Sequence, residues 1–395
     1  MDRTPIANRK SIVLAGNRNA GKSTLFNRLI GQERSIVSDV AGTTTDPVWK
    51  ASEIIGYGPV RIVDTAGIDD VGELGAQRIK KSEEEMHESD LIIYVMNYSE
   101  LESSEKTEML VEDIKQKYSR KEILFIINKC DIAEKHKLVK LKDRFSDFMF
   151  ISDKTDEWYD VLIARIIDKL KNTEEERSLL EGMLNTGDTA LLVVPIDSEA
   201  PKGRLILPQV QLIRACLDDG IKVVVCRDEE LEETISEMNR IDLVITDSNV
   251  FEKVGRIVPK DIRITSFSIL FAREKGDIEE FLAGAKKFES LEDGDKILIA
   301  ESCTHTVSHE DIGQVVIPSL LKKNTGKNLE FVFSYGKSLP EDLSEFSLII
   351  QCGGCMMTRN NMMNRIYRAR ENNIHITNYG ITLAYLKGVF DRAVY

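Results

Sequence analysis

Short apolar runs, each bounded by loop-forming or charged residues, recur along the whole chain. SIVLAG, VRIVDTAG, DLIIYVM and EILFIINK read as buried strands of a parallel sheet, and the charged segment GELGAQRIKKSEEEMHES between two of them reads as a helix. The stretch Asn172 to Asn185 is charged and reads as a connecting helix. The rhythm then restarts. Thr189 to Ile196, Ile221 to Cys226 and Asp242 to Asp247 read as strands, and Leu207 to Leu217 as a helix. After about Pro259 a third series follows, with strands in KILIAES, LEFVFS, FSLIIQ and IHITN and helices over Asp277 to Phe288 and Arg359 to Glu371. The pattern predicts an α/β chain with mainly parallel sheets in three blocks, roughly residues 1–172, 173–260 and 261–395. No internal repeat suggests a solenoid.

Composition narrows this modestly. The chain has 395 residues, 42% of them hydrophobic and 30% charged, which suits a globular protein of two or three domains. No apolar run reaches bilayer-spanning length, and the first residues lack the pattern of a signal peptide, so a cytoplasmic protein without a membrane partner is expected. A net charge of −13 argues against a chain that coats nucleic acid, and no nucleic-acid partner is expected. Six cysteines are spread through the sequence, not packed as in a small disulfide scaffold. Where they cluster, a metal or redox site is the expectation.

The first block carries ordered motifs. GNRNAGKS (Gly16 to Ser23) follows a strand and precedes a helical pattern, the context a phosphate-binding loop needs. Gly16 and Gly21 let backbone N–H groups face phosphate oxygens, Lys22 carries charge to the β and γ phosphates, and Ser23 offers a hydroxyl to magnesium. The expected nucleotide contacts here are Asn17, Asn19, Ala20, Gly21, Lys22, Ser23 and Thr24. In DTAG, Asp64 suits a water-mediated magnesium contact and Gly67 an N–H aimed at the γ-phosphate. In NKCD, Asp131 suits guanine N1–H and N2–H, with Asn128 and Lys129 bracing the loop; SDK brings Ser152 and Lys154 as a second base-contacting segment. GTTTD (Gly42 to Asp46) supplies a mobile hydroxyl for magnesium. The expected reaction is hydrolysis of GTP to GDP, with Lys22, Thr44, Asp64 and Gly67 as its catalytic set.

On GNRNAGKS, GTTTD, DTAG and NKCD, this block resembles the TrmE–Era branch of translation-factor-like GTPases. The resemblance implies that Thr44 is the magnesium-binding switch threonine. Isoleucine follows DTAG, where Ras-like enzymes use glutamine to orient water. Several relatives of this branch hold a potassium ion partly through a loop asparagine, which matches Asn19; Asn19 also suits a left-handed loop position on its own account. Slow turnover, stimulated by potassium, is the expectation.

The third block raises a different chemistry. Cys352 and Cys355 lie just past one strand, and Cys303 and His305 just past another. In an open parallel sheet both carboxyl ends share one edge. Three thiolates in reach of one point suit zinc, as Cys303, His305, Cys352 and Cys355, or a 4Fe–4S cluster on three cysteines; ordinary buried thiols are the third reading. A TrmE–Era-like domain followed by C-x-H and then C-G-G-C resembles the FeFe-hydrogenase maturation GTPases, HydF. This resemblance spans the chain. It implies a 4Fe–4S cluster on Cys303, Cys352 and Cys355, and a dimer formed through the middle domain. It further implies a scaffold that receives a diiron precursor from two radical-SAM maturases and delivers it to the FeFe-hydrogenase apoprotein. Many relatives carry histidine immediately before C-G-G-C; here the residue is Gln351, so a protein ligand completing the cluster would be His305 or another residue. The competing reading is an RNA-modification or ribosome-assembly GTPase with a structural zinc site.

Overall fold

The computed structural model describes residues 9–31, 47–69, 72–101, 103–152, 154–173, 178–196, 205–302, 312–336, 339–354 and 357–395. Two compact units divide the chain at 175/176. In the first, the elements run β1 (Lys10–Ala15), α1 (Lys22–Ile30), β2 (Val48–Ile54), β3 (Gly58–Asp64), α2 (Glu73–Glu88), β4 (Leu91–Asn97), α3 (Ser104–Lys117), β5 (Glu122–Asn128), α4 (Lys135–Arg144), β6 (Met149–Phe150) and α5 (Tyr159–Asn172). The sheet order is β2-β3-β1-β4-β5-β6, parallel except for β2, which pairs antiparallel with β3.

The apolar runs are continuous because both faces of this sheet are covered. Ile12, Leu14, Ile62, Leu91, Ile93 and Ile126 pack with Leu25 and Leu29 of α1 and Leu162, Ile166 and Leu170 of α5. The alternate residues Val13, Ala15, Val63, Ile92, Tyr94 and Ile127 pack with Met86 of α2 and Val111 and Ile114 of α3. This two-residue alternation between two layers of helices is what a doubly covered parallel sheet requires.

The second unit holds two four-stranded, all-parallel sheets. Its elements are β7 (Thr189–Val193), α6 (Leu207–Asp218), β8 (Lys222–Cys226), α7 (Leu231–Glu237), β9 (Leu243–Thr246), α8 (Phe251–Ile257), β10 (Arg263–Ser266), α9 (Phe267–Lys275), α10 (Ile278–Lys286), β11 (Lys296–Glu301), α11 (Ile317–Thr325), β12 (Glu330–Tyr335), β13 (Leu348–Gln351), α12 (Arg359–Glu371), β14 (His375–Asn378) and α13 (Tyr379–Leu386). The sheet orders are β10-β9-β7-β8 and β12-β11-β13-β14. The second and third blocks of the sequence share one core, in which Leu191, Val193 and Val244 join Ile297, Ile299 and Ile350. Near the carboxyl end of the sequence, Val394 N–H donates to Ile264 O at 2.8 Å and Thr265 Oγ1 donates to Val394 O at 2.8 Å, which lines the β10 edge of the middle sheet.

Two expectations change. In the described part of Asn172 to Asn185 there is no connecting helix: α5 ends at Asn172, and residues 179–183 form turns. Leu180 and Met183 are buried there among middle-sheet residues, and Gly182, at φ 71°, interrupts any helix. The middle sheet also takes its edge strand β10 from residues 263–266, past the 173–260 block. No helix among the described residues is long and apolar enough to cross a membrane.

Candidate nucleotide site and cysteine centre

The loop between β1 and α1 is shaped by backbone that only certain residues tolerate. Gly16 has φ 134°, and a Cβ there would overlap the carbonyl of Val95. Gly21 caps α1 in the left-handed region at φ 98°, without a side-chain cap. The first turn of α1 carries no acidic residue, so its positive end is left for an anion. Asn19 sits at φ 57°, as its short amide side chain allows.

Lys22 is buried and turned back on the loop, Nζ donating to Gly16 O at 2.8 Å and Asn17 O at 2.7 Å. Burial lowers its pKa, opposed by the charges of Asp64, Asp69 and Glu100. Ser23 Oγ donates to Asp64 Oδ2 at 2.7 Å. The other oxygen, Asp64 Oδ1, is buried without a hydrogen-bond partner among the described residues. Burial raises the Asp64 pKa, opposed by the Ser23 hydrogen bond and then by Lys22. A hydroxyl and an orphaned carboxylate oxygen side by side fit a hard divalent cation. Gly67 presses on the loop so closely that a Cβ would overlap Arg18 Cγ. Ile68 packs into the core beside α2 and α3.

At the base-contacting end, Asn128 Nδ2 donates to Ala20 O at 3.0 Å and its Oδ1 accepts Lys129 N–H at 2.7 Å. Lys129 Nζ reaches Asn19 O at 2.6 Å. Asp131 accepts from Ser152 Oγ at 2.9 Å and pairs with Lys154 Nζ at 2.5 Å. The Lys154 and then the Ser152 contacts hold its carboxyl below the usual range. The structure thus brings NKCD, Ser152, Lys154 and the loop together; Thr24 is exposed at the start of α1. Thr44 and the rest of GTTTD lie outside the described residues.

Sequence reasoning missed Asp69, Glu100 and Trp158. Asp69 Oδ1 accepts Arg18 N–H at 2.7 Å, Glu100 accepts from Asn17 and Asn97, and Trp158 Nε1 donates to Ser152 O at 2.8 Å. None belongs to a spaced motif, although the position of Asp69 two residues past DTAG was a usable signal.

In the second unit, β11 and β13 are neighbours with Ala300 opposite Gln351, and Cys352 N–H donates to Ala300 O at 2.9 Å. Cys352 Sγ receives Ser302 N–H at 3.2 Å and Gln351 Nε2 at 3.2 Å, and Ser302 Oγ lies 3.0 Å away. Among the described residues nothing lies within 4 Å of where a Cβ on Gly353 would point, and Gly354 takes φ 64°. Lys275 Nζ donates to Gly354 O at 3.2 Å. Cys303, His305 and Cys355 lie outside the described residues. Among the described residues no metal-binding group of three or more ligands forms. A buried sulfur with donors converging on it, followed by two glycines that add no side chain, fits a metal-bound thiolate. Burial pushes the Cys130 and Cys216 thiols up to about 11, and Cys130 Sγ points at Ile127 O.

These features define a P-loop GTPase-type domain joined to two parallel-sheet α/β domains, the second presenting the buried sulfur of Cys352 at its carboxyl edge. Residues 179–276 match the hydrogen maturase F dimerization domain, 279–395 match the hydrogen maturase F tetramerization domain, and 11–129 match the 50S ribosome-binding GTPase family. The chain belongs to the hydrogen maturase F family, with a TrmE–Era-like G domain.

Similar curated proteins include the tRNA modification GTPase MnmE of Aquifex aeolicus, 39% identical over 133 residues, covering 33% of this chain and 28% of that protein. MnmE of Christiangramia forsetii is 32% identical over 174 residues, covering 40% and 36%. The chain thus spans about a third of the length of these relatives. Among solved structures, the G domain of the T. maritima FeoB iron transporter is 21% identical with a TM-score of 0.32, covering 41% of this chain and 99% of that one. Era of Aquifex aeolicus is 18% identical with a TM-score of 0.33, covering 62% and 97%.

Proposed function

We propose that this chain is a GTP-hydrolysing scaffold that binds a 4Fe–4S cluster on Cys303, Cys352 and Cys355. In this reading it takes part in assembling the diiron subcluster and delivering it to the FeFe-hydrogenase apoprotein, after two radical-SAM maturases have acted. The observation that carries the reading is the Cys352 sulfur. It lies beside Ser302, the residue bonded directly to Cys303, with Ser302 and Gln351 donors turned toward it. When bound, the cluster supplies an iron with a position left open to exchange. Cys352 supplies an anionic ligand, Gly353 adds no side chain of its own beside it, and Lys275 fixes the turn through Gly354.

In the G domain, Ser23 and Asp64 would hold magnesium, whose charge offsets that of the phosphates. Lys22 leaves the carbonyls of Gly16 and Asn17 for the phosphates, and GTP displaces Asp69 from the Arg18 N–H. Asp131, already oriented by Ser152 and Lys154, takes the two guanine N–H donors. Ile68 is half-buried against the core and has no group to orient water, so turnover is slow. Asn19 would help hold potassium, which adds positive charge beside the phosphates. Thr44 would complete the magnesium contacts in the GTP-bound protein. Self-association runs through the middle sheet, in a three-domain chain whose second boundary falls near 276.

The test is anaerobic reconstitution followed by iron and sulfide quantitation and electron paramagnetic resonance. About four irons per chain with a 4Fe–4S signal, lost in Cys352→Ala, is expected. A chain that takes up only zinc overturns the reading.

A further inference from the structure

Gln351 stands where the resemblance puts histidine, and its surroundings decide what it can do. The side chain is fully buried at the end of β13. Its Oε1 accepts a hydrogen bond from Nη1 of Arg365, a residue of α12 that is only 3% exposed. Arg365 Nη2 donates to the carbonyl of Gly336, just past β12, so the guanidinium is held from two sides.

This contact fixes the orientation of the amide. A guanidinium has donors only, so the glutamine oxygen must face it and the NH2 group must face away. The NH2 group then points at sulfur: Nε2 lies 3.2 Å from Cys352 Sγ and 3.8 Å from Met357 Sδ. Gln351 is therefore unsuited to be a metal ligand itself. Its oxygen is taken by a buried cation, and an amide nitrogen has no free lone pair to give.

A buried arginine carries a desolvation cost that an apolar pair of the same volume would avoid. A polar relay running from β12 through Arg365 and Gln351 to a sulfur asks for a reason beyond packing. Hydrogen bonds to cluster sulfurs draw charge off them and favour the more negative, reduced state, which raises the reduction potential. The buried positive charge of Arg365 acts in the same direction through a low-dielectric interior.

We propose that Gln351, oriented by Arg365, donates to the Cys352 sulfur and sets the reduction potential of the bound iron–sulfur cluster, as a positioning pair and not as a ligand. This rests on the cluster reading given above.

The experiment is a redox titration of the full-length, anaerobically reconstituted chain, followed by electron paramagnetic resonance. Gln351→Glu keeps the volume and the partner of Arg365, but turns a carboxylate toward the sulfur in place of a donor. Its oxidised-to-reduced ratio at the wild-type midpoint should rise about tenfold, a downward shift of about 59 mV for a one-electron couple. Gln351→Leu should shift the midpoint the same way by less, and Arg365→Lys, which keeps the charge but loses the fork, less again. With side-chain 15N-labelled glutamine, the wild-type cluster should show only the weak nitrogen coupling of a hydrogen bond. Unchanged midpoints in both Gln351 variants, or the strong coupling of a directly bonded nitrogen, overturn the inference and leave the cluster reading standing. A wild-type chain that takes up no cluster overturns both. A purely structural pair would lower the melting temperature of these variants without moving the potential.

Discussion

At the residue scale, the clearest test is Asp64. Its Oδ1 is buried without a partner among the described residues, and burial raises its pKa. For an acid whose folded pKa lies above its unfolded value, the fold disfavours the charged form. The cost is absent below the unfolded carboxyl range, at about pH 4, and complete once pH has risen past the folded value. In protein free of nucleotide and magnesium, Asp64→Asn should therefore raise the melting temperature at pH 7 by a few degrees, about 1 kcal/mol. The gain should vanish near pH 4, while GTP hydrolysis falls by about a hundredfold or more. A scan across pH with no difference between the two proteins would count against the burial argument. Asp64, Ser23 and Asp131 were legible in the sequence because spaced motifs name them. Asp69, Arg365 and the orientation of Gln351 were not, since each depends on a contact between residues far apart in the chain.

At the scale of elements, apolar runs announced most core strands, because a doubly covered strand is apolar on successive residues. VWKASEI escaped notice: β2 is an antiparallel edge strand of mixed burial, and its sequence carries no such run. The stretch from Asn172 to Asn185 misled because its charge resembles a helix surface, while its leucines are drawn into turns beneath the middle sheet. Close helix–sheet packing was equally invisible. Gly284 of α10 lies against β14, and a Cβ there would overlap the carbonyl of Ile376. Alanine is the better helix former by about 1 kcal/mol, yet backbone overlap leaves no flexible side chain to give way. Gly284→Ala should destabilise the second unit by about 2 kcal/mol net. Chemical denaturation that shows a stabilised variant would refute that packing.

At the scale of the whole molecule, the edges of the middle sheet differ. The β10 edge is lined by the segment around Val394, whereas β8 is an edge strand on which Val225 is 46% exposed. An open, apolar edge invites pairing with another chain. If the dimer forms through β8, Val225→Lys should weaken it by about 2 kcal/mol, roughly thirtyfold in dissociation constant, and leave each chain folded. Light scattering across a dilution series reads this directly, and an unchanged oligomer would place the contact elsewhere. The family profiles split the second unit near residue 277, although one hydrophobic core runs through both of its sheets. Strand runs in the sequence foretold the sheets, but not that they would share an interior.

The adjacency of β11 and β13 bears on the order of events during biogenesis. Cys352 comes to rest against Ala300 and Ser302 only after the intervening chain has gone out through β12 and returned. Such a distant pairing is a late, slow step in chain collapse. On the cluster reading proposed above, the site around Cys352 would be a product of completed folding, unlike small zinc modules that stay unravelled until metal arrives. If the reconstituted chain holds the proposed cluster, chelators should empty it without unravelling it, and the inorganic group would be a passenger that boards after the vessel is built.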